Sequence, residues 1–450
     1  MKFRKLRFLY NLNISQIIAG VYALLIIIGA ILLDLPFATV SGKSVGGLTS
    51  LFTSTSAVCV TGLSIVDIWS TFSLFGQFVI LILMEAGGLG FMSIISILFY
   101  ITDKSANIRS LSLIAESLGT DIITDILRVQ KRLLIGSFSF ELIGTVLLSI
   151  RFIPVFGVGK GIWFGIFHSV SAFCNAGFDL MGILSPGGSL VSWAHDPVVL
   201  LTIASLIIIG GIGFLVWNDM VFARQIRKWS IYTRIVILTT ALLLVASTIC
   251  FMCFEFNAPA FDGMTTGEKL VNSFFQAATT RTAGFASVDQ ADLTPLSVML
   301  TMFLMIVGGS AGSTAGGIKT VTLMIILKTL VSNLTGKKNV TIFKRTITSD
   351  QIQNAFTVAG GFLLLSGIGG FFIELTSAAG LRASFFESIS ALATVGLSLG
   401  VTSALSLSSK LLLIVLMYIG RVGLLTLTIG FFKVKENPNI RYPSVKLMIG

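Results

Sequence analysis

The chain has 450 residues, 54% of them hydrophobic and 11% charged, with a mean hydropathy of +0.95. Soluble domains carry about 25% charged residues, so this composition excludes a soluble globular protein and indicates many membrane spans. The net charge of +11 does not point to nucleic acid, because the basic residues are dispersed over several segments.

Lys2, Arg4, Lys5 and Arg7 precede an apolar run, Ile14–Leu33, which has the roughly 20 residues needed to cross a bilayer. Asp34-Leu35-Pro36 follows it where a small-residue cleavage site would stand in a signal peptide, so the run reads as a first span. Further outer spans are expected at Leu133–Ile153, Arg234–Phe256 and Ile352–Leu375, and inner spans at Leu74–Tyr100, Pro197–Phe222, Pro295–Leu330 and Lys410–Phe432. Between the members of each pair lies a recurring stretch: Phe52–Leu63 (FTSTSAVCVTGL), Phe167–Phe178 (FHSVSAFCNAGF), Phe274–Phe285 (FFQAATTRTAGF) and Phe386–Leu397 (FESISALATVGL). Their glycines, Gly62, Gly177, Gly284 and Gly396, are spaced 115, 107 and 112 residues apart, long enough for two spans and a re-entrant loop per unit.

The expected architecture is therefore an all-α polytopic membrane protein of four span–loop–span (M1–P–M2) repeats around one pseudo-fourfold pore. The segments are 1–102 (repeat 1), 103–132 (cytoplasmic linker helix), 133–228 (repeat 2), 229–345 (repeat 3), 346–432 (repeat 4) and 433–450 (cytoplasmic tail). In the linker, Ile108, Leu111, Ile114, Leu118, Ile122 and Ile126 recur at helical spacing and suit a helix lying on a membrane or a partner. Of the 31 Lys and Arg, 23 fall on the side of the two termini and 7 on the other, with Arg421 inside a span. This bias puts both termini in the cytoplasm. The loop segments Gly46–Ala57 and Gly161–Cys174 reach only about 18 Å as helix at 1.5 Å per residue, half the hydrocarbon core. They must enter and return, lining a polar cavity.

The four turns read Val60-Thr61-Gly62, Asn175-Ala176-Gly177, Thr282-Ala283-Gly284 and Thr394-Val395-Gly396. Arranged about one axis, their carbonyls would form rings able to replace a cation's hydration shell, with the negative ends of the preceding helix dipoles aimed inward. In the inner spans, Gly87-Gly88-Leu89-Gly90, Gly210-Gly211-Ile212-Gly213 and Gly308-Gly309-Ser310-Ala311 recur, and the fourth unit has Gly420-Arg421-Val422-Gly423.

These features resemble the pore-forming subunit of the Trk/Ktr/HKT potassium transporter superfamily, over nearly the whole chain; AVCVTGL of the first loop is a specific signature of its first repeat. The lack of extra spans before the first repeat favours the bacterial, KtrB-like branch. The resemblance implies potassium as the transported ion, since a serine at the first glycine accompanies sodium transport and Gly62 is a glycine. It also implies a homodimer in the bacterial plasma membrane on a ring of cytosolic nucleotide-binding subunits (KtrA/KtrC-like), with no nucleotide on this chain. The filters keep one glycine each, unlike the TVGYG of tetrameric channels, so a sodium-permeable or sodium-coupled transporter stays open. A broken-helix secondary transporter is a more remote alternative, since it would show two inverted halves.

Gly308-Gly309-Ser310-Ala311-Gly312-Ser313-Thr314-Ala315-Gly316-Gly317-Ile318-Lys319-Thr320 interrupts the third inner span and cannot be lipid-facing helix. Ile318 stands between Gly317 and Lys319, so the G-K-[ST] of a phosphate loop is absent. The expectation is a flexible plug below the filter, which the family resemblance makes an intramembrane gate. Arg421 is expected to act as an electrostatic barrier below the filter, the alternative being an ion pair with Glu85. His168 and Glu387 are expected to hydrogen-bond loop backbone, Arg281 to brace the third loop, and Asp67, Asp179, Asp289 and Asp292 to lie at the outer mouth. Cys250 and Cys253 read as small residues packed within a span. No paired Asp, Ser/His dyad or metal cluster is apparent, and His168 and His195 are the only histidines, so no enzyme is expected.

Overall fold

The computed structural model describes residues 14–90, 126–222, 225–337, 339–424 and 426–427. The linker pattern from Ile108 to Ile122, the end of the first inner span, the last part of the fourth and the C-terminal tail lie outside the described residues.

Among the described residues, four helices are long and apolar enough to cross a membrane: α1 (Ile14–Asp34), α4 (Ile126–Phe156), α8 (Ile231–Glu255) and α12 (Ser349–Ser377). They coincide with the four expected outer spans. Each is followed by a shorter helix: α2 (Gly47–Val58), α5 (Val158–Phe173), α9 (Thr266–Thr279) and α13 (Leu381–Ala393). At 12 to 16 residues and 1.5 Å per residue these are about 18–24 Å long, too short to cross. The start signals are those of ordinary helices. Thr265 and Glu268 form a capping box on α9, and a glycine at positive φ precedes α2, α5 and α13.

Within the described residues the inner spans are short helices. They run as α3 (Leu74–Gly88), α6 (Pro197–Ile212), α10 (Pro295–Ile306) and α14 (Leu407–Val422). α6 turns through 94° into α7 (Phe214–Phe222), which corrects the expected unbroken span over Pro197–Phe222. The physical reason is Gly213 at φ +92°, matched by Gly90 at +80° and Gly423 at +93° in the first and fourth units. Hydropathy continues across such a bend, but only glycine adopts this backbone cheaply. In the third unit the break is the expected glycine-rich interruption, followed by α11 (Thr320–Leu334) and a two-residue hairpin, β1 (Thr341–Ile342) with β2 (Arg345–Thr346).

The distribution of burial is that of a membrane protein with a polar centre. Leu24, Ile27 and Ile31 on α1 and Leu238, Leu242 and Val245 on α8 are exposed, as lipid-facing side chains are. Thr53, Ser54, Thr55 and Ser56 on α2 are completely buried. Three units share one packing device. Gly29, Gly144 and Gly369 of the outer helices have no room for a Cβ, which would lie 2.3–2.5 Å from the hydroxyls of Ser54, Ser169 and Ser388 and crowd Leu83, Leu206 and Leu416 of the inner helices. Those same serines donate to outer-helix carbonyls at Ile26 (2.7 Å), Glu141 (2.6 Å) and Ser366 (2.9 Å). Small residues let three backbones converge where lipid supplies no hydrophobic drive. The third unit uses a different bond, Gln276 to Gln290 at 2.7 Å.

Candidate functional site: four glycine turns, an outer vestibule and an inner loop

Each short helix ends in the same backbone turn. Val60, Asn175, Thr282 and Thr394 adopt φ of 56°, 57°, 67° and 52°, and the glycine two residues later adopts 88°, 72°, 84° and 95°. In three units the residue between donates back to the helix: Thr61 to Ser56 (2.8 Å), Ala176 to Ser171 (2.7 Å) and Val395 to Ser390 (2.8 Å); Ala283 bonds Thr279 (3.0 Å) instead. Left-handed conformations at non-glycine residues are uncommon and mark places where surrounding structure imposes them.

The turns meet in cyclic order. A Cβ on Gly62 would lie 2.5 Å from the Ala176 carbonyl oxygen, one on Gly177 2.6 Å from that of Ala283, one on Gly284 2.5 Å from that of Val395, and one on Gly396 2.1 Å from that of Thr61. Each glycine is thus required twice, by its own φ and by the neighbouring turn's carbonyl. The four turns are thereby brought together, with all twelve residues singled out in the sequence contained in them.

Above the turns lies a cavity of about 420 Å³ whose lining includes all four glycines and Asp67, Asp179 and Asp289. Asp292 is exposed and lies outside the lining. Burial raises the Asp179 carboxyl to about 6; the nearby Asp67 adds to this, while hydrogen bonds from Met181 N–H and Ser189 oppose it. His168 behaves as expected, its ring meeting the Phe164 carbonyl at 2.8 Å and accepting from Leu180 N–H at 3.3 Å. Glu387 accepts from the Ser398 and Thr402 hydroxyls, so its hydrogen-bonded side-chain partners are hydroxyls. Arg281 donates to Thr240 of α8 at 3.3 Å and ties the third turn to an outer helix.

On the opposite side of the turns, the segment between α10 and α11 is densely hydrogen-bonded. Val307 and Ile318 form a parallel bridge, closed by Gly308 N–H to Ile318 (3.0 Å) and Ile318 N–H to Ile306 (2.9 Å). Ser310 N–H donates to Gly211 (3.0 Å) and Phe214 N–H to Gly312 (2.8 Å), docking the loop on the α6–α7 bend. Tyr232 hydroxyl donates to Ala311 at 2.7 Å. Thr314 Oγ1 donates to Phe173 at 3.2 Å and Gly316 N–H to Thr282 Oγ1 at 3.3 Å. A Cβ on Gly316 would strike Thr394 Oγ1 at 2.0 Å, so the loop abuts the third and fourth turns. Lys319 folds back onto the Ala315 carbonyl at 2.7 Å. These bonds fasten the loop to the α6–α7 bend and to the turns.

Arg421 does not pair with Glu85. It donates to the Thr314 carbonyl at 2.6 Å, to the Gly88 carbonyl at 3.3 Å and to the Gly87 carbonyl. Glu85 instead faces Cys174, whose thiol donates to it at 3.3 Å, and Glu141. That cluster overturns the expectation that no such grouping exists. It joins residues from two different units and has no signal in local sequence.

The family described as "Cation transport protein" (TrkH) matches residues 11–442. The chain is 39% identical to the "Potassium/sodium uptake protein NtpJ" of Enterococcus hirae, covering 100% of both chains. It is 38% identical to the "Ktr system potassium uptake protein B" of Bacillus subtilis, covering 97% of this chain and 96% of the relative. Its fold superposes on the potassium transporter TrkH of Vibrio parahaemolyticus with a TM-score of 0.72 at 19% identity, over 93% of this chain and 84% of that one. The chain belongs to the TrkH family of cation transport proteins and is a multi-pass membrane transporter, not an enzyme.

Proposed function

We propose that the chain is the ion-conducting subunit of a potassium uptake system, with four M1–P–M2 repeats around one pseudo-fourfold pore. The observation that carries this reading is the cyclic contact of Gly62, Gly177, Gly284 and Gly396 with the carbonyls of the next turn. Backbone carbonyls so gathered can replace the hydration shell of a monovalent cation. The filter consists of Val60-Thr61-Gly62, Asn175-Ala176-Gly177, Thr282-Ala283-Gly284 and Thr394-Val395-Gly396. Asp67, Asp179 and Asp289 attract cations to the vestibule, and the Gly308–Thr320 loop, fastened by Arg421, is the gate on the inner side. The names of the relatives, potassium uptake proteins of Ktr systems, support potassium as the ion and a partnered assembly. The assembly proposed is a homodimer in the bacterial plasma membrane, both termini cytoplasmic, on a cytosolic nucleotide-binding ring that conveys regulation.

A sodium-permeable or sodium-coupled mode is a second reading, favoured by the "Potassium/sodium uptake" relative. Growth of a potassium-uptake-deficient bacterium at low potassium tests both. The chain with its cytosolic partner should rescue growth, and Gly62→Ser should weaken the rescue or make it depend on sodium. Absence of rescue by well-expressed, membrane-inserted protein would remove potassium as the substrate. Deleting Gly309–Gly317 should raise flux or uncouple it from the partner; unchanged, regulated flux would remove the gate.

A further inference from the structure

Beside the second filter turn, three ligand atoms converge that conduction leaves unused. Glu85 of α3, Glu141 of α4 and Cys174, which caps α5, bring two carboxylate oxygens and a sulfur within 4.8 Å of one another. Glu141 is 5% exposed and Cys174 fully buried. Glu85 Oε1 and Glu141 Oε1 are buried and receive no donor from any other group, so the two carboxyls face each other, and Gly88 lacks the Cβ that would lie 2.6 Å from the Cys174 sulfur. Buried acceptors without donors are costly, and two carboxyls with a thiol in low-dielectric surroundings require either protons or a cation between them.

The donor set selects among cations. A thiolate with carboxylates disfavours magnesium and calcium, which take all-oxygen shells, and suits zinc or cadmium. Zinc binds carboxylate oxygen at about 2.0–2.2 Å and thiolate at about 2.3 Å, which requires only small closure of the three side chains. Glu85, half-buried, is the least confined of them. Deprotonated, the trio carries three negative charges. A divalent ion offsets two, and the Arg421 guanidinium, bonded to the Gly87 and Gly88 carbonyls at the end of the helix bearing Glu85, supplies a third.

We propose that Glu85, Glu141 and Cys174 form a binding site for a thiophilic divalent cation of the zinc or cadmium class. Binding forms two metal–oxygen bonds and one metal–sulfur bond and releases the thiol and carboxyl protons to water, with no change of oxidation state. The bound ion would fasten α3 and α4 to the residue directly before Asn175, and so reach the filter without entering the pore.

The test uses the full chain purified in detergent and carrying Cys250→Ser and Cys253→Ser, so that the cysteine pair of α8 does not contribute. Titration with cadmium chloride, read by equilibrium dialysis and by ultraviolet thiolate-to-cadmium absorption, should give one ion per chain. Cys174→Ser should abolish the absorption band, and it and Glu141→Gln should each weaken binding at least tenfold. X-ray absorption on the protein with all three ligands intact should show one sulfur among oxygens around cadmium, a reading independent of whether the ligand variants fold. Binding unchanged in both variants, no binding by monodisperse protein, or an all-oxygen shell would overturn the proposal.

Discussion

The Arg421 guanidinium donates a 2.6 Å hydrogen bond to the carbonyl oxygen of Thr314 and also reaches the Gly87 and Gly88 carbonyls. One side chain thus ties the end of the fourth inner helix to the loop interrupting the third and to the end of the first. Charge-assisted bonds of this kind each contribute about 1.5–3 kcal/mol. The planar fork of the guanidinium spreads its donors over carbonyls of two separate elements, whereas a lysine would bring a single nitrogen on a shorter reach. Arg421→Ala is therefore expected to raise rubidium uptake into proteoliposomes several-fold by freeing the loop. Arg421→Lys separates the clamp from a purely electrostatic barrier: the clamp predicts flux between those of wild type and Ala, whereas a barrier predicts wild-type flux because the charge is kept.

Gly87, Gly210 and Gly420 occupy equivalent positions, where a Cβ would lie 2.0–2.1 Å from the carbonyl oxygens of Val58, Phe173 and Leu392 at the ends of the short helices. The obstructing atom is backbone and cannot rotate away. Overpacking of this kind costs about 1–3 kcal/mol or more. Gly210→Ala is expected to lower the melting temperature in detergent and to impair uptake. Gly20→Ala, where nothing lies within 4 Å of the added atom, should be neutral or stabilising, since alanine is favoured over glycine in a helix by about 0.8–1 kcal/mol. Equal melting temperatures for the two would contradict this packing.

The outer spans were legible because their apolar runs are long and uninterrupted, and the four turn glycines because they recur between those runs. The αL residues Val60, Asn175, Thr282 and Thr394 were not legible as such, because their conformation is imposed by the ring of neighbouring turns, not by their own propensity. The bend at Gly213 was hidden for another reason. Apolar residues continue past Gly213 into Phe214–Trp217, so hydropathy reads one span where the backbone makes two. Arg421 was found as a charge in a span, but its partners are carbonyls, which carry no side-chain signature. Glu85, Glu141 and Cys174 lie far apart in sequence and meet only through packing between units.

Gly213 links the inner-helix bend to the loop. At φ +92° it would be strained as any other residue, and a Cβ would lie 2.5 Å from Ser310 Oγ and 3.0 Å from the Ala311 carbonyl. Backbone in this essentially glycine-only region costs any other residue about 1–3 kcal/mol, and the clash falls on the segment through which Ser310 and Phe214 dock the loop. Gly213→Ala is expected to increase basal flux and to reduce its response to the cytosolic partner. Cleavage within 308–320 by limited proteolysis should accelerate in parallel. A variant with faster flux but an equally protected loop would show that the bend acts on conduction by another route.

Asp179 gives the vestibule a dependence on pH whose sign follows from its surroundings. Its carboxyl is raised from 3.8 to about 6, chiefly by burial and further by Asp67, against the hydrogen bonds from Met181 N–H and Ser189. Because the folded state holds the proton more tightly than the unfolded chain, the stability this group contributes is complete below 3.8 and is lost as pH rises through about 6. Over the same interval a negative charge appears in the cavity that adjoins the four glycines, and its attraction for cations extends roughly 8 Å at physiological salt. Uptake from low external potassium should therefore increase with a midpoint near pH 6, more steeply at low ionic strength, while thermal stability declines slightly. Asp179→Asn should remove that step from both profiles and leave uptake at the lower, acid-side level across the range. The measurement is initial rubidium uptake and melting temperature at half-unit pH intervals. A step near pH 6 that persists in Asp179→Asn would assign the titration to another group of the vestibule.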